Sequence, residues 1–540
     1  MNIFQNTFLR TLPILWLLWS CNAPKASDEG KDFAEFPHAV TYEIFVQSFA
    51  DSNGDGIGDI AGMTSRLDYL QELGVRGIWL MPIMPSPSYH KYDVIDYKAI
   101  HPDYGTMDDF KHFLAEAKKR DIKVVIDMII NHTSNRHPWF LKSSSSKDNP
   151  YRDYYVWADE ATILRESKLV KEATGDSDNK HQWHDMDGQD EKYYGFFYGG
   201  MPDLNFDNEK VKEEIFDIGR FWLEEVGVDG FRLDAAKHIF EDNRVADNHA
   251  FWVEYREAME AIKPDVYIIG EVWAPTEQIA PFLSGLPSLF NFDLAYSILE
   301  SLNKEQNLSA TVKGHGTEIN EGITLEDAFL IKEKIYAEIT TDYVDAIFLS
   351  NHDQNRVMSV LGNDIAKAKQ AAAILLSLPG TPYLYYGEEI GMRGMKPDPT
   401  IREPFLWDSI DKDTARATWI EPKFTMDESL VPLAMQKQDP NKIFHTYKKL
   451  IAIRNHSEAL TFGQLEKSPL SSESLMAWYR TYEGKQVLVL HNLSSSQSAD
   501  ISISELNKAE ILFASHDNMI VEGAVNMPPN SSIFILTEKL

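Results

Sequence analysis

The sequence predicts an α/β protein: a (β/α)8 TIM barrel with a subdomain inserted after strand 3 and a C-terminal antiparallel β-sandwich domain. Three observations carry this. From about Val40, short apolar runs alternate with amphipathic helical stretches in roughly eight repeats, which favours a closed barrel over an open sheet. A long polar segment, His132–Phe206, breaks the rhythm after the third run and exceeds what a plain loop would span. From about Ser457 the helical periodicity stops, and short strands separated by Ser, Gly and Asn follow.

At the N-terminus, Arg10 precedes the apolar run Leu12–Trp19. That run is about half the ~20 residues needed to cross a bilayer, so residues 1–20 read as a signal peptide. Leu18-Trp19-Ser20-Cys21 resembles a bacterial lipobox, in which Cys21 is acylated and becomes the mature N-terminus; the alternative is a plain secretory signal with an incidental thiol. Cys21 is the one cysteine of 540 residues, so no intrachain disulfide can form. Residues 21–38, polar and charged as far as Asp32, read as a tether. The expectation is an extracytoplasmic protein lipid-anchored to a bacterial membrane, the outer one being favoured, that faces periplasm or cell surface. No other segment is long and apolar enough to span a membrane.

Thr41–Phe49, Arg76–Met84, Ile122–Ile130, Val228–Leu233, Val266–Val272, Ala346–Ser350 and Tyr383–Tyr386 read as buried strands, apolar on both faces as parallel strands are. Between them, Thr106 and Asp109 form a capping-box start, and Phe110, Phe113, Leu114 and Ala117 make one apolar helix face. Val211, Ile215, Ile218 and Trp222 make another. The barrel is expected over 39–131 and 207–456, the insertion over 132–206, and the sandwich over 457–540. Leu475–Arg480, Gln486–His491, Ile511–Phe513 and Ile533–Leu536 are strands of the sandwich. Asp and Glu total 83 against 52 Lys and Arg, a net charge of -31. Such a surface repels phosphate backbones and disfavours nucleic acid as a partner, while a neutral ligand is not repelled.

A barrel of this class carries its site at the C-terminal ends of its strands, and polar residues concentrate there. The third run ends Asp127-Met128-Ile129-Ile130-Asn131-His132. The fourth ends Arg232-Leu233-Asp234, followed by Ala235-Ala236-Lys237-His238. The fifth ends Gly270-Glu271-Val272-Trp273, and the seventh Asn351-His352-Asp353. Each polar group would interrupt a buried apolar run at a cost of about a few kcal/mol if left unpaired.

These four segments, with Met201-Pro202-Asp203-Leu204-Asn205, resemble in order the conserved regions of the α-amylase family of glycoside hydrolases (family 13). The form of the fifth segment is similar to a bacterial α-amylase subgroup intermediate between oligo-1,6-glucosidases and neopullulanases. The resemblance implies retaining hydrolysis of internal α-1,4-glucosidic bonds in starch or maltooligosaccharides. In it Asp234 is the nucleophile, Glu271 the general acid and then base, and Asp353 the carboxylate that grips sugar hydroxyls. It also implies that Arg232 keeps Asp234 ionised, that His132 and His352 bind hydroxyls, and that Tyr92 stacks under the reacting sugar. Lys237 and His238 would line the acceptor side, and Asp398 and Arg402, within Gly394–Arg402, the donor side. Tyr89-His90 is the amylase-like arrangement and leaves room for a longer chain.

Asp51-Ser52-Asn53-Gly54-Asp55-Gly56-Ile57-Gly58-Asp59 places hard oxygen donors at alternate positions, a pattern suited to Ca²⁺ or to a metal-free acidic turn. In many relatives Asp51, Asn53, Asp55, Asp59 and the Ile57 carbonyl would ligate the ion. A second calcium at Asn131 and the His238 carbonyl stays open. Three other readings stand beside the amylase: an α-glucosidase- or neopullulanase-type hydrolase, a transglycosylating relative, and a non-catalytic surface glycan-binding protein. The single Trp478, without a paired aromatic, favours a stabilising role for the C-terminal domain.

Overall fold

Eight parallel strands close into a barrel in which every neighbour in space is a neighbour in sequence order. They are β1 Thr41–Ile44, β2 Gly77–Leu80, β3 Lys123–Met128, β4 Gly230–Leu233, β5 Tyr267–Gly270, β6 Ser288–Phe290, β7 Val344–Phe348 and β8 Thr381–Tyr385. The computed structural model describes residues 32–165, 181–314, 316–426, 428–502, 510–521 and 524–538. Cys21, the signal segment and the tether up to residue 31 therefore lie outside the described residues.

Strand alternation sorts the barrel's residues into two cores. Trp79, Val125, Ile269, Phe290, Ala346, Phe348 and Tyr383 fill the interior, while Val124, Ile126, Phe231, Leu233, Ile268 and Ile347 face the surrounding helices. On β4 the same period puts Arg232 inward, and Asp234, two residues on, leaves the strand on that face. Tyr267, Ile269 and Glu271 do the same on β5. Gly230 is required where β4 meets β5, because a Cβ there would lie 2.0 Å from the Tyr267 carbonyl oxygen.

Three elements differ from the sequence expectation, one of them a helical turn at Glu458–Phe462, where helical structure was expected to have ended and strands to begin. β1 stops at Ile44, and Val46–Phe49 is one helical turn rather than strand. β6 was not among the predicted strands; its three residues are too few for a periodic signal. The capping box at Thr106–Asp109 is present, and the helix Glu209–Arg220 buries Val211, Ile215 and Ile218 before a wider turn, Phe221–Val226, that buries Trp222. Residues 33–38, expected in the tether, are docked on the barrel. The Phe33 and Ala34 N–H groups donate to the Asn455 carbonyl, Phe36 meets Tyr267 edge-on at 4.8 Å, and the Thr381 hydroxyl bonds the Pro37 carbonyl. They close the barrel's N-terminal end, opposite the site.

The insertion between β3 and β4 holds a small three-stranded antiparallel sheet of Trp157–Asp159, Glu191–Tyr194 and Trp183–His184. At the C-terminus a five-stranded and a three-stranded antiparallel sheet face each other across Leu475, Leu488, Leu490, Ile501, Val525, Ile533 and Ile535. The alternate residues Met476, Trp478, Val487, Val489 and Phe534 join the barrel's outer core. Trp478 is 0% exposed and packs on His491, so it offers no surface to a sugar. Among the described residues no helix is long and apolar enough to cross a membrane.

Candidate active site

Asp234, Glu271 and Asp353 line one cleft of about 840 Å³ at the C-terminal ends of the strands. Tyr92, His132, Lys237, His238, Asp398 and Arg402 line the same cleft. Arg232 and His352 lie beneath it, 1% and 0% exposed.

Arg232 organises the acids. Its Nη1 lies 2.7 Å from Asp234 Oδ1 and 2.8 Å from Asp127 Oδ1, and its Nη2 lies 2.9 Å from Glu271 Oε2. The guanidinium fork therefore holds the two carboxyls expected to act on one glycosidic bond. Ala235, in the left-handed region at φ 49°, turns its N–H toward Glu271 Oε2 at 3.4 Å. A non-glycine residue there costs roughly 1 kcal/mol, a strain typical of functional sites. Burial pushes the Glu271 carboxyl up to about 7, with Asp234 and Asp353 adding to the rise and Arg232 opposing it. Burial also raises Asp127 to about 6 despite Arg232.

Asp353 has the opposite environment. Burial would raise it, but His352 and Arg402 outweigh that and hold its carboxyl far below the usual range. His352 Nε2 is 2.9 Å from Asp353 Oδ2, and Arg402 Nη2 is 2.8 Å from Oδ1. Two carboxyls in one cleft are thus driven apart, one toward the protonated and one toward the ionised form. Tyr92 stacks on His352 with centroids 5.5 Å apart and planes 11° apart. Its hydroxyl donates to Asp127 Oδ2 at 3.0 Å. His132 is 1% exposed with Nε2 3.2 Å from the Tyr92 carbonyl, and burial lowers its pKa. Lys237 donates to the Trp273 carbonyl at 2.8 Å, and His238 stacks on Phe196 at 4.1 Å.

Arg402, expected as a donor-side sugar contact, lines the cleft with its guanidinium engaged by protein groups. It is 2% exposed and its guanidinium is committed to Asp353, Asp398 Oδ2 at 3.2 Å, the Tyr89 hydroxyl at 3.2 Å and the His352 carbonyl at 2.8 Å. It thereby fixes Asp353 at the cleft wall. Asp398, also paired with Lys396 Nζ at 2.7 Å, stays on the cleft wall.

Sequence reasoning missed several members. Asp127 was visible as an acid inside an apolar run, and its register partner across the sheet is Arg232. Glu43 on β1 carried the same signal and pairs with His352. A hairpin of Ser309–Lys313 and Gly316–Asn320, with the helix Phe292–Lys304, brings Gly316, Thr317, Tyr296 and Leu299 to the cleft, and no motif marks it.

In the loop 51–59, Asp51 Oδ1 accepts from the Asn53 and Gly54 N–H groups and Oδ2 from Gly56. Asn53 Oδ1 accepts from Asp55, Asp55 Oδ1 from Ile57, and Asp59 from Ser52 and Gly62. These bonds curl the loop and leave lone pairs on Asp51 Oδ2, Asn53 Oδ1 and the Asp55 carboxylate, while Asp51 Oδ1 and both Asp59 oxygens are each met by two donors; the oxygen-only set is of the hard kind that suits Ca²⁺. Among the described residues no three His, Cys, Asp or Glu side chains converge as a metal cluster.

A (β/α)8 barrel that gathers three acids in one cleft above its strands defines a class, the barrel glycosidases. The family described as Alpha amylase, catalytic domain, matches residues 43–463, and the Alpha-amylase SusG C-terminal domain matches residues 475–534. The chain belongs to the α-amylase family and is a glycoside hydrolase. It is 42% identical to Alpha-amylase 3 of Dictyoglomus thermophilum over 88% of this chain and 89% of that one. It is 32% identical to an oligo-1,6-glucosidase of Bacillus cereus over 92% and 98%. The crystal structure of the α-amylase from H. orenii superposes with a TM-score of 0.78 at 37% identity, covering 93% of this chain and 99% of that one.

Proposed function

We propose that the protein is an α-amylase that hydrolyses internal α-1,4-glucosidic bonds of starch or maltooligosaccharides with retention. The observation that carries the mechanism is the Arg232 fork, which holds Asp234 and Glu271 side by side, together with the burial that raises the Glu271 carboxyl to about 7. Asp234 attacks the anomeric carbon, and Glu271 gives its proton to the departing glycosidic oxygen, leaving a glucosyl ester on Asp234. Glu271, now ionised, takes a proton from the water that attacks the same carbon, and Asp234 departs as a carboxylate. Asp353 and His132 face the sugar's hydroxyls, where an anion stabilises the oxocarbenium-like state.

An internal cut needs room on both sides of the bond. The cleft runs from Lys396 and Asp398 to Lys237, Trp273 and Tyr296, which supports an endo reading over a closed terminal-sugar pocket. The test is product analysis on amylose, pullulan and cyclodextrin, with the anomer of fresh product read by NMR. Oligosaccharides of several lengths from amylose, released as the α-anomer, are expected. Glucose alone would favour an exo-glucosidase, longer oligomers from maltotriose a transglycosylase, and no new reducing ends a glycan-binding protein.

We further propose that the loop holding Asp51, Asn53, Asp55, Asp59 and the Ile57 carbonyl binds Ca²⁺ as a structural ion, supported by its donor chemistry. The lipobox-like Leu18–Cys21 supports an extracytoplasmic, lipid-anchored location. Palmitate labelling of wild type against Cys21→Ser tests it.

A further inference from the structure

Glu43 sits in β1 between Tyr42 and Ile44, 1% exposed, with its carboxyl aimed into the barrel. Its Oε1 is 2.6 Å from His352 Nδ1. On the other edge of the ring, Nε2 is 2.9 Å from Asp353 Oδ2 and 2.6 Å from the Tyr92 hydroxyl.

The contacts on both edges of the ring bear on its protonation. The Tyr92 hydroxyl gives its hydrogen to Asp127, so toward His352 it is an acceptor. Nδ1 then faces one carboxylate, and Nε2 faces a second carboxylate and a phenol oxygen. A neutral imidazole would aim a lone pair at one of these acceptors. With Glu43 and Asp353 both as carboxylates, a ring protonated at both nitrogens is the form that satisfies every contact.

We propose that Glu43 is a positioning residue that keeps His352 an imidazolium and, through it, keeps the Asp353 carboxylate ionised and oriented on the reacting sugar. The inference rests on the reading of Asp353 as the sugar-gripping carboxylate. The groups that face His352 are Glu43 from β1, Tyr92 from the loop after β2, Asp127 from β3 through Tyr92, and its neighbour Asp353. From beyond β8, Arg402 holds the His352 carbonyl. Burial would lower the ring's pKa, but Asp353 and Glu43 outweigh it and lift it to about 10. The device also divides labour: Asp353 cannot serve as proton donor, which leaves that task to Glu271.

The test is the histidine Cε1–H resonance in the full-length, ¹³C-histidine-labelled protein, with His352 assigned by its loss in His352→Asn. In wild type the signal is expected to stay at the imidazolium position from about pH 6 to 9, across the range where an ordinary histidine titrates. In Glu43→Gln, which keeps an acceptor but loses the charge, the ring is expected to titrate within that window. Hydrolysis of maltooligosaccharide by that variant should lose about tenfold or more in kcat with KM changed less than about threefold, and Glu43→Asp should recover part of the loss. A wild-type ring that titrates near neutrality overturns the proposal, as does a folded Glu43→Gln whose ring stays protonated. If Glu43→Gln does not fold, the wild-type titration and Glu43→Asp decide it. The ring signal needs no turnover, so failure of the amylase reading and failure of this inference are separate results.

Discussion

Asp127 and Arg232 are register partners on adjacent strands, and Arg232 Nη1 lies 2.8 and 3.1 Å from the two Asp127 oxygens at the floor of the cleft. Asp127 is 0% exposed and touches no part of the open cleft, yet it draws on the same guanidinium that serves Asp234 and Glu271. Three acids on one arginine make the charge on each a matter for all.

The first prediction is a pH profile. Glu271 must carry a proton to act as acid, and its pKa is raised to about 7, so kcat/KM falls as pH rises through about 7. Asp127→Asn removes an anion from the shared arginine and lets Arg232 favour ionised Glu271 more strongly. The alkaline limb is then expected to move to lower pH. Initial rates on a soluble maltooligosaccharide between about pH 5 and 9 measure it, and an unmoved limb contradicts the shared-arginine account.

Asp234→Asn tests the nucleophile. The amide oxygen can still accept from Arg232 Nη1, so the fold and the Arg232–Glu271 contact are expected to persist. Turnover should drop by roughly a thousandfold or more, about 4 kcal/mol of barrier. Reducing-end assay beside the far-ultraviolet spectrum separates lost chemistry from lost structure. Normal starch clearance by this variant would refute the role.

The barrel was legible in the sequence because parallel strands buried on both faces are long apolar runs, and an acid at their ends stands out. Asp234, Glu271 and Asp353 are such acids. β6 was not legible, because Ser288–Phe290 is shorter than any periodic signal and is specified by its neighbours across the sheet. Roles were harder to read than positions. Arg402 lies two residues before Pro404 in a loop without periodicity, and nothing local shows that its guanidinium folds back on Asp353. The partnerships of Glu43 with His352, and of Asp127 with Arg232, are products of barrel closure and register. They join residues 309 and 105 positions apart, which spacing along the chain cannot reveal.

Arg402→Lys is the prediction that separates positioning from sugar contact. A lysine keeps the charge but cannot reach Asp353, Asp398, Tyr89 and the His352 carbonyl together. If Arg402 acts through Asp353, kcat should fall about ten- to a hundredfold with KM little changed. A rise in KM at constant kcat would instead make it a plain binding residue.

The C-terminal domain is expected to matter for stability rather than for catalysis. Arg480, 0% exposed, donates to the carbonyls of Ser377 at 2.6 Å, Leu460 at 2.8 Å and Gly463 at 2.9 Å, tying the sandwich to the end of the barrel helix Ile365–Ser377. Arg480→Met fills the space but strips three buried carbonyls of their donor, a loss of about 1–3 kcal/mol. The urea midpoint should fall, while kcat at 25 °C on a short substrate stays near wild type.

Calcium removal probes the far wall of the cleft. The loop of Asp51–Asp59 is fastened to the segment that carries Trp419, since the Thr418 N–H donates to the Gly56 carbonyl at 2.7 Å. Trp419 stacks on Tyr89 at 5.4 Å, and Tyr89 accepts from Arg402, which holds Asp353. An ion that braces the loop would stabilise the folded state by mass action, about 2.7 kcal/mol at a hundredfold excess over Kd. Chelation should therefore lower the melting temperature of wild type and leave that of Asp51→Ala unchanged, because the variant has no ion to lose. The chain of contacts adds a kinetic expectation: just below that lowered melting temperature, chelated enzyme should lose kcat before it loses secondary structure, as Asp353 comes out of register. A melting temperature that does not respond to low free calcium would leave the loop as a metal-free turn held by its own Asx bonds.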